Sequence, residues 1–493
     1  MLLCLTLLSL VCGLLACDTE TDATDSFKST GIVCRITRPA ALVLNEQTTQ
    51  VIQAAFKHAK YPDMKGEKSV MFIGKVSYGL NNLEIFNLSI GKSEVDLIQD
   101  SVIKVDIHNV RASFKGTLYY GYRGWLVNVS HSVDFEIESH IDLQVNTRLY
   151  CGEANRVAAD TSDCYLTFHQ LLLHLQGDKQ PSWIKRLFTD FVSYTVRLVI
   201  KSQICKEINN LANILAEFIQ QRAGLFLSSG DIGVDISVTN SPVLTADHIE
   251  SHHKGLLLYK NVTSVIEESV FSPDLLTESR MLYFWISDQV LRSLVMAAYD
   301  DQRLVQLIMG QELKDLFRNH HTRGILQKIF SSEDPEAKLW SLTTPQLSVS
   351  PLGTIVRTLT AVEIRTNSSQ PEAHRLYFET DIEVIVQASY SSKKLFLDAK
   401  PAQITIQNLS TSNRDQQGED EDMDYFKELV QKIGIPKVVS YLENGLTELM
   451  NRNGLHLFEI INPQVITEKG YVIIQLDFGF PHHLLVDFLK RAL

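Results

Sequence analysis

The chain has 493 residues, 45% hydrophobic and 21% charged, with 24 Gly, 13 Pro and a formal net charge of −12. This composition can bury a large core, and the length predicts more than one domain. The acidic balance excludes a broad basic field of the kind that holds nucleic acid, lipopolysaccharide or an anionic membrane, while leaving local basic patches open.

Leu2 to Leu15 is an apolar run of signal-peptide length, followed by Gly13 and Ala16 and then the polar Asp18-Thr-Glu-Thr-Asp. The expectation is a secretory signal over residues 1–16, although no Lys or Arg precedes the run. Five cysteines then remain, Cys17, Cys34, Cys151, Cys164 and Cys205, so at least one is unpaired or bonds another chain. Sequons at Asn87, Asn128, Asn261, Asn367 and Asn408 fit a secreted glycoprotein. No later segment has the roughly 20 apolar residues a membrane-spanning helix takes, so no transmembrane anchoring is expected.

The mature chain reads as two halves of similar layout, 17–260 and 281–480, around a surface linker at 261–280. The first half opens with a strand, Ile32-Val-Cys-Arg-Ile-Thr, and a helix from Leu44 to Lys60. Strands follow at Ser69-Val-Met-Phe-Ile-Gly-Lys-Val, Asn82 to Ile90 and Val133 to Glu138, and Ile141-Asp-Leu-Gln-Val alternates apolar and polar residues strictly. A helix from Trp183 to Phe226 could reach about 60 Å, longer than a compact domain is wide. Ile232 to Val238 closes the half as a strand.

The second half repeats the order: a helix over Ser287–Phe317, strands near 346–349, 354–364, 382–388 and 402–406, then a helix over Asp424–Met450 interrupted at Gly434-Ile-Pro436. Strands at Gln464 and Tyr471 end it, and Ser410–Asp424 reads as a solvated loop. The fold class is therefore α+β: strongly curved antiparallel sheets, each closed by a long helix. Sequence leaves open whether such a shape encloses a filled core or an apolar cavity.

The tail, residues 481–493, is an amphipathic helix opening after Pro481. On a helical wheel Leu484, Leu485, Val486, Phe488, Leu489, Ala492 and Leu493 fill an arc of about 200°. An ordinary surface helix needs only about 100° to dock. Such a short helix is marginal in water, so the arc needs a partner: either its own domain or a lipid surface.

Catalytic patterns are lacking. There is no Gly-x-Ser-x-Gly elbow, His-Glu-x-x-His, Cys-x-x-Cys or phosphate-cradling loop, so no enzyme and no cofactor are expected. The pairs His252-His253, His320-His321 and His482-His483 place adjacent rings on different sides of their elements, so no metal is expected. A Cys164–Cys205 bond would staple strand to helix, with Cys34 and Cys151 as alternative partners.

Several long runs carry a resemblance. These are Gly31-Ile-Val-Cys-Arg-Ile-Thr, Cys164-Tyr-Leu-Thr-Phe-His-Gln-Leu-Leu-Leu-His-Leu-Gln, Gln203-Ile-Cys-Lys-Glu-Ile-Asn, Gly230-Asp-Ile-Gly-Val-Asp-Ile-Ser, Glu250-Ser-His-His-Lys-Gly, Ser279-Arg-Met-Leu-Tyr-Phe-Trp and Asp477 to Leu489. They resemble the lipid-transfer and lipopolysaccharide-binding protein family across nearly all of the mature chain, and the tail resembles its neutral-lipid-transferring members. The match is weakest over 311–369.

The resemblance implies an elongated, curved, two-domain monomer, each half a highly twisted antiparallel barrel with a long helix, joined by a central sheet. It implies an apolar tunnel for cholesteryl ester and triglyceride, plugged by phospholipid, and exchange between HDL and the lower-density LDL and VLDL particles in plasma. Phospholipid transfer alone, or lipopolysaccharide binding, is the alternative within the same fold. By the same resemblance Cys164 and Cys205 are bonded, and Gln220, Arg222 and Ser251 meet a phospholipid head group at the neck. Cys34, Ile36 and His253 line the tunnel mouth, and the tail is a lid whose Leu484, Leu485, Phe488 and Leu489 face lipid.

Overall fold

The structure is a computed structural model that describes residues 27–492 except 71–73, 99–101, 124–127, 177–181, 261, 321, 332–333, 367–373, 412–418 and 453. The expected signal segment 1–16, Cys17, Asn261, Asn367 and Leu493 lie outside the described residues, as does the side chain of Asn128.

The chain opens with β1 (Ile32–Thr37), α1 (Arg38–Asn45) and α2 (Thr48–His58). A meander follows: β2 (Met64–Val70), β3 (Gly74–Ser89), β4 (Ser93–Ile98), β5 (Val102–Arg123), β6 (Asn128–Cys151) and β7 (Val157–Leu175). Next come α3 (Ser182–Phe226), β8 (Gly233–Asp235), β9 (Val243–Leu244), β10 (His248–His253), β11 (Leu256–Tyr259) and β12 (Val262–Thr263). The second half runs β13 (Leu282–Ser287), α4 (Asp288–Asp300), β14 (Val305–Met309), α5 (Gly310–Phe317), α6 (Gly324–Phe330), β15 (Pro335–Ser341), β16 (Gln346–Ser350), β17 (Gly353–Thr366), β18 (Arg375–Ser391) and β19 (Lys394–Thr411). It ends with α7 (Glu419–Leu429), a π turn at Val430–Gly434, α8 (Ile435–Arg452), β20 (Ile460–Glu468), β21 (Tyr471–Phe478) and α9 (His482–Ala492).

The likeness of the halves is one of topology. The first sheet has the order β2-β3-β5-β6-β7 with β4 paired to β5, and the second has β14-β15-β17-β18-β19 with β16 paired to β17. Each strand thus has a counterpart twelve places later in the strand order. Both halves supply a central sheet, β20-β21-β13-β1-β10-β9, in which β1 pairs antiparallel with β13. A buried apolar cluster fills the first sheet against α2 and α3, and a second fills β14–β19 against α5–α7.

Antiparallel alternation produced most of this. In β1 the pattern Ile-Val-Cys-Arg-Ile-Thr buries Val33, Arg35 and Thr37 on one face and leaves Cys34 and Ile36 half-buried on the other. The C-terminal break also follows from sequence: Pro436 has no N–H to continue the ladder, and the helix passes through a π turn before it.

Several expectations need correction. Ser287–Phe317 is not one helix: α4 ends at Asp300, Gln302 adopts φ 55°, and Val305–Met309 pairs with β15 as a strand. The helix expected over Leu44–Lys60 is the pair α1 and α2. The expected strand Ser69–Val76 is divided between β2 and β3, which pair antiparallel, and part of Ser410–Asp424 is helix α7. The surface linker at 261–280 is anchored where Ile266, Phe271 and Leu276 are buried. Its carbonyls at Pro273 and Leu276 accept from the Arg35 guanidinium at 2.8 and 2.6 Å, which draws the segment onto the central sheet.

Candidate functional site

The two faces of the central sheet differ in kind. On one, Arg35, Tyr283, Trp285, Glu250 and His252 are all 2% exposed or less. Arg35 Nε donates to Glu250 Oε2 at 2.7 Å, and His252 Nε2 donates to Glu250 Oε1 at 2.8 Å. Burial alone would push the Glu250 carboxyl up, but the His252 hydrogen bond and the Arg35 charge outweigh it and hold the group below its usual range. This face is closed, and its charged groups are paired with one another.

The opposite face is apolar, yet only half-buried. Register places Cys34 opposite both Ser251 and Phe284, Ile36 opposite Ile249 and Leu282, and His253 opposite Ile32. Four residues expected at a lipid site, Cys34, Ile36, Ser251 and His253, are therefore brought to one face by the two-residue period of their strands. Cys34 is the free cysteine among the described residues, and burial, aided by the Glu250 charge, pushes its thiol up to about 12. His253 Nδ1 donates to the Ile236 carbonyl at 2.7 Å, so its Nε2 accepts from the Ser251 hydroxyl at 2.9 Å. Burial lowers the His253 pKa and keeps the ring neutral.

Gln220 and Arg222 do not converge on one point. Two residues apart on a helix, they point about 200° away from each other. Gln220 turns to β7: its Oε1 accepts from Val157 N at 3.0 Å and its Nε2 donates to Val157 O at 2.9 Å. Its amide is thus bonded to the backbone of β7 and, through Nε2, to the Ala216 carbonyl. Arg222 turns to the tail, pairs with Asp487 Oδ2 at 2.6 Å and stacks over Phe218, 5.2 Å from the ring centroid.

A row of α3 amides was missed in the sequence. Asn209 accepts from Thr161 N at 3.0 Å, and Asn213 both accepts from Ala159 N and donates to Ala159 O. With Gln220 they satisfy the outer backbone of β7, the last strand of its sheet, and so close an edge that would otherwise be exposed. The signal was present as polar amides at helical spacing, Asn209, Asn213 and Gln220, along a largely apolar helix. Farther along the same seam Cys164 and Cys205 form a disulfide, and Cys151 is disulfide-bonded as well.

The tail helix packs on the first domain. Phe488 is 1% exposed and lies 6.1 Å from the Phe218 ring, while Leu484, Leu485, Leu489 and Ala492 join the same apolar cluster. The four residues expected to face lipid therefore face the protein's own core cluster here. Val486, part of the 200° arc, is 49% exposed, so the docked stripe is narrower than the wheel suggested. Arg491 adds contacts to Glu217, at 3.3 Å, and to Gln221.

A cavity of about 920 Å³ opens beside the end of α3, lined by residues that include Gly152, Arg156, Gln220, Gly224, Asp235 and Lys254. Its mixed charges suit it poorly to an apolar chain, so the half-open central sheet face is the better candidate for one. Among the described residues there is no helix long and apolar enough to cross a membrane and no cluster suited to a metal ion.

Two family models match the chain: the N-terminal domain of the LBP / BPI / CETP family over residues 41–245 and its C-terminal domain over residues 228–475. The cholesteryl ester transfer protein of Gallus gallus is 50% identical over 476 residues, covering 95% of this chain and 94% of that protein. The Homo sapiens protein of the same name is 48% identical, covering 93% and 94%. Among solved structures, lipopolysaccharide binding protein covers 92% of this chain and 99% of its own, at 16% identity and a TM-score of 0.49.

Proposed function

The chain belongs to the LBP / BPI / CETP family, and from that premise we propose that it is a secreted, non-enzymatic plasma lipid-transfer protein. In this reading it exchanges cholesteryl ester and triglyceride, with some phospholipid, between high-density and lower-density lipoproteins, acting as a glycosylated monomer. The observation that carries it is the central sheet face of Cys34, Ile36, Ile249, Leu282 and Phe284, which is apolar yet only partly buried. A soluble protein leaves such a surface half-open in its middle when something apolar is to cover it. An ester lipid needs an apolar path and exclusion of water, and no reactive side chain.

The tail supplies the lid. Apart from Phe488 its apolar residues are only partly buried, and its ion pair Arg222–Asp487 joins groups that are 37% and 42% exposed. An exposed pair of this kind contributes about 0–1 kcal/mol, so the lid is held mainly by apolar packing. When α9 lifts, Arg222 loses Asp487 and presents a guanidinium suited to a phospholipid phosphate. Ser251 and His253 stand at the mouth with Cys34 and Ile36, while Gln220 fixes the helix that carries Arg222.

The test is transfer of labelled cholesteryl ester from high- to low-density lipoprotein, with free fatty acid monitored. Intact ester should move without hydrolysis. Truncation after Phe480 should lower that rate severalfold while the melting profile of the two domains persists; an unchanged rate would remove the lid from the mechanism. Phospholipid exchange without ester transfer, or tight lipopolysaccharide binding, would instead assign the chain one of the other activities considered for this fold.

A further inference from the structure

Away from the neck, the seam between α3 and β7 carries cations that stack on aromatic rings instead of pairing with carboxylates. Lys201 Nζ lies 5.8 Å from the centroid of the Tyr165 ring, and the Arg197 guanidinium lies 5.8 Å from that of Phe168. Neither cation has a carboxylate partner among the described residues, in contrast to Arg148, Arg222 and Arg357, which are paired with Asp163, Asp487 and Asp381. Beside them Tyr194, Leu198 and Tyr165 are 65%, 51% and 48% exposed.

Tyr194, Arg197, Leu198 and Lys201 stand at i, i+3, i+4 and i+7, so they form one stripe on α3. The core stripe of the same helix is separate: Val196, Ile200 and Ile204 are fully buried. The exposed stripe is thus an additional amphipathic surface rather than the overflow of a core face. The Cys164–Cys205 disulfide fixes helix to strand at one end of it.

We infer that this seam docks the protein on a zwitterionic phospholipid surface, with Arg197 and Lys201 meeting phosphates and Tyr194, Leu198 and Tyr165 entering the head-group layer. Tyrosine rings and aliphatic chains favour that boundary, where one end of a side chain is apolar and the other wet. Stacking on Tyr165 and Phe168 holds the two cations in place before contact. A helix lying on an edge strand forms a ridge, which can enter a head-group layer but offers no pocket to a partner's side chain. The net charge of −12 opposes approach to an anionic membrane, so the surface that fits is one whose phosphates are balanced by choline.

The stripe is distinct from the lid. From Leu198 to Arg222 the helix rises about 36 Å, so docking here leaves α9 free to open. The inference rests on the transfer reading only for supplying a lipid surface to meet.

The experiment is flotation of the full chain with extruded phosphatidylcholine vesicles. Tyr194→Ser with Leu198→Ser, and separately Arg197→Glu with Lys201→Glu, should each weaken vesicle binding about tenfold. Neutral lipid extracted with each purified variant should match wild type; loss of that lipid as well would mark a failure of the transfer reading instead. In the unaltered protein, vesicles should protect Lys201 from acetylation, a readout that does not depend on a variant folding. Wild-type flotation by both variants together with an unprotected Lys201 would overturn the inference. So would binding only to particles that carry protein, which would make the partner a polypeptide.

Discussion

Arg35 lies on the closed face of the central sheet and joins three parts of the chain: its own strand, Glu250 on β10 and the carbonyls of Pro273 and Leu276. Arg35→Ala would leave Glu250 buried without its cation and should cost about 3–5 kcal/mol, measured by urea unfolding. Cys34, which lies between Ser251 and Phe284 on the opposite face, behaves differently. With its thiol pushed up to about 12, roughly one molecule in ten thousand is thiolate at pH 8, so iodoacetamide should label it only after unfolding. The folded state favours the neutral thiol, so this contribution to stability is complete below about pH 9 and is lost as pH rises toward 12. Fast labelling of the native protein at pH 8 would contradict that burial. At this scale the family resemblance marked Cys34, Ile36, Ser251 and His253, and the pairing of β1 with β10 brings them to one face. The sequence could not show that Gln220 and Arg222 turn to different partners, since those partners, Val157 and Asp487, are 63 and 265 residues away.

Among the elements, α3 and α9 were the most legible, because a long apolar period and a terminal amphipathic stripe are properties of contiguous residues. What α9 covers was not, because a helix with an apolar arc fits a protein core or a lipid surface equally well. The docking now assigns weight: Phe488 is nearly fully buried, whereas Asp487 belongs to a half-exposed pair. Phe488→Ala should therefore detach the tail, raising hydrogen exchange across 482–492 to the level of free peptide. Asp487→Asn should change it by no more than the ~1 kcal/mol of a surface pair. Equal effects of the two substitutions would mean that the ion pair, and not the ring, holds the lid. The helix expected over Ser287–Phe317 failed for the complementary reason. Leu304 to Met309 is compatible with either state, and only pairing with β15, some 30 residues on, makes it a strand.

For the whole molecule, the two sheets repeat one strand order, and strands from both halves pair across the centre. The Cys164–Cys205 bond closes a segment of 41 residues. Replacing both cysteines by Ser should lower stability by about 3–4 kcal/mol on the chain-entropy account, seen as an earlier urea transition of the first domain under non-reducing conditions. An unshifted transition would mean that the α3 amide row already holds helix to strand. The sequence by itself determined the class of elements, the two-part layout and the family resemblance, because side-chain period and long matching runs lie along the chain. Only the tertiary structure decided which sheet face stays open, where the linker is anchored and what the tail covers. Those depend on contacts between residues hundreds of positions apart, where burial and pairing are settled by partners that no local pattern names.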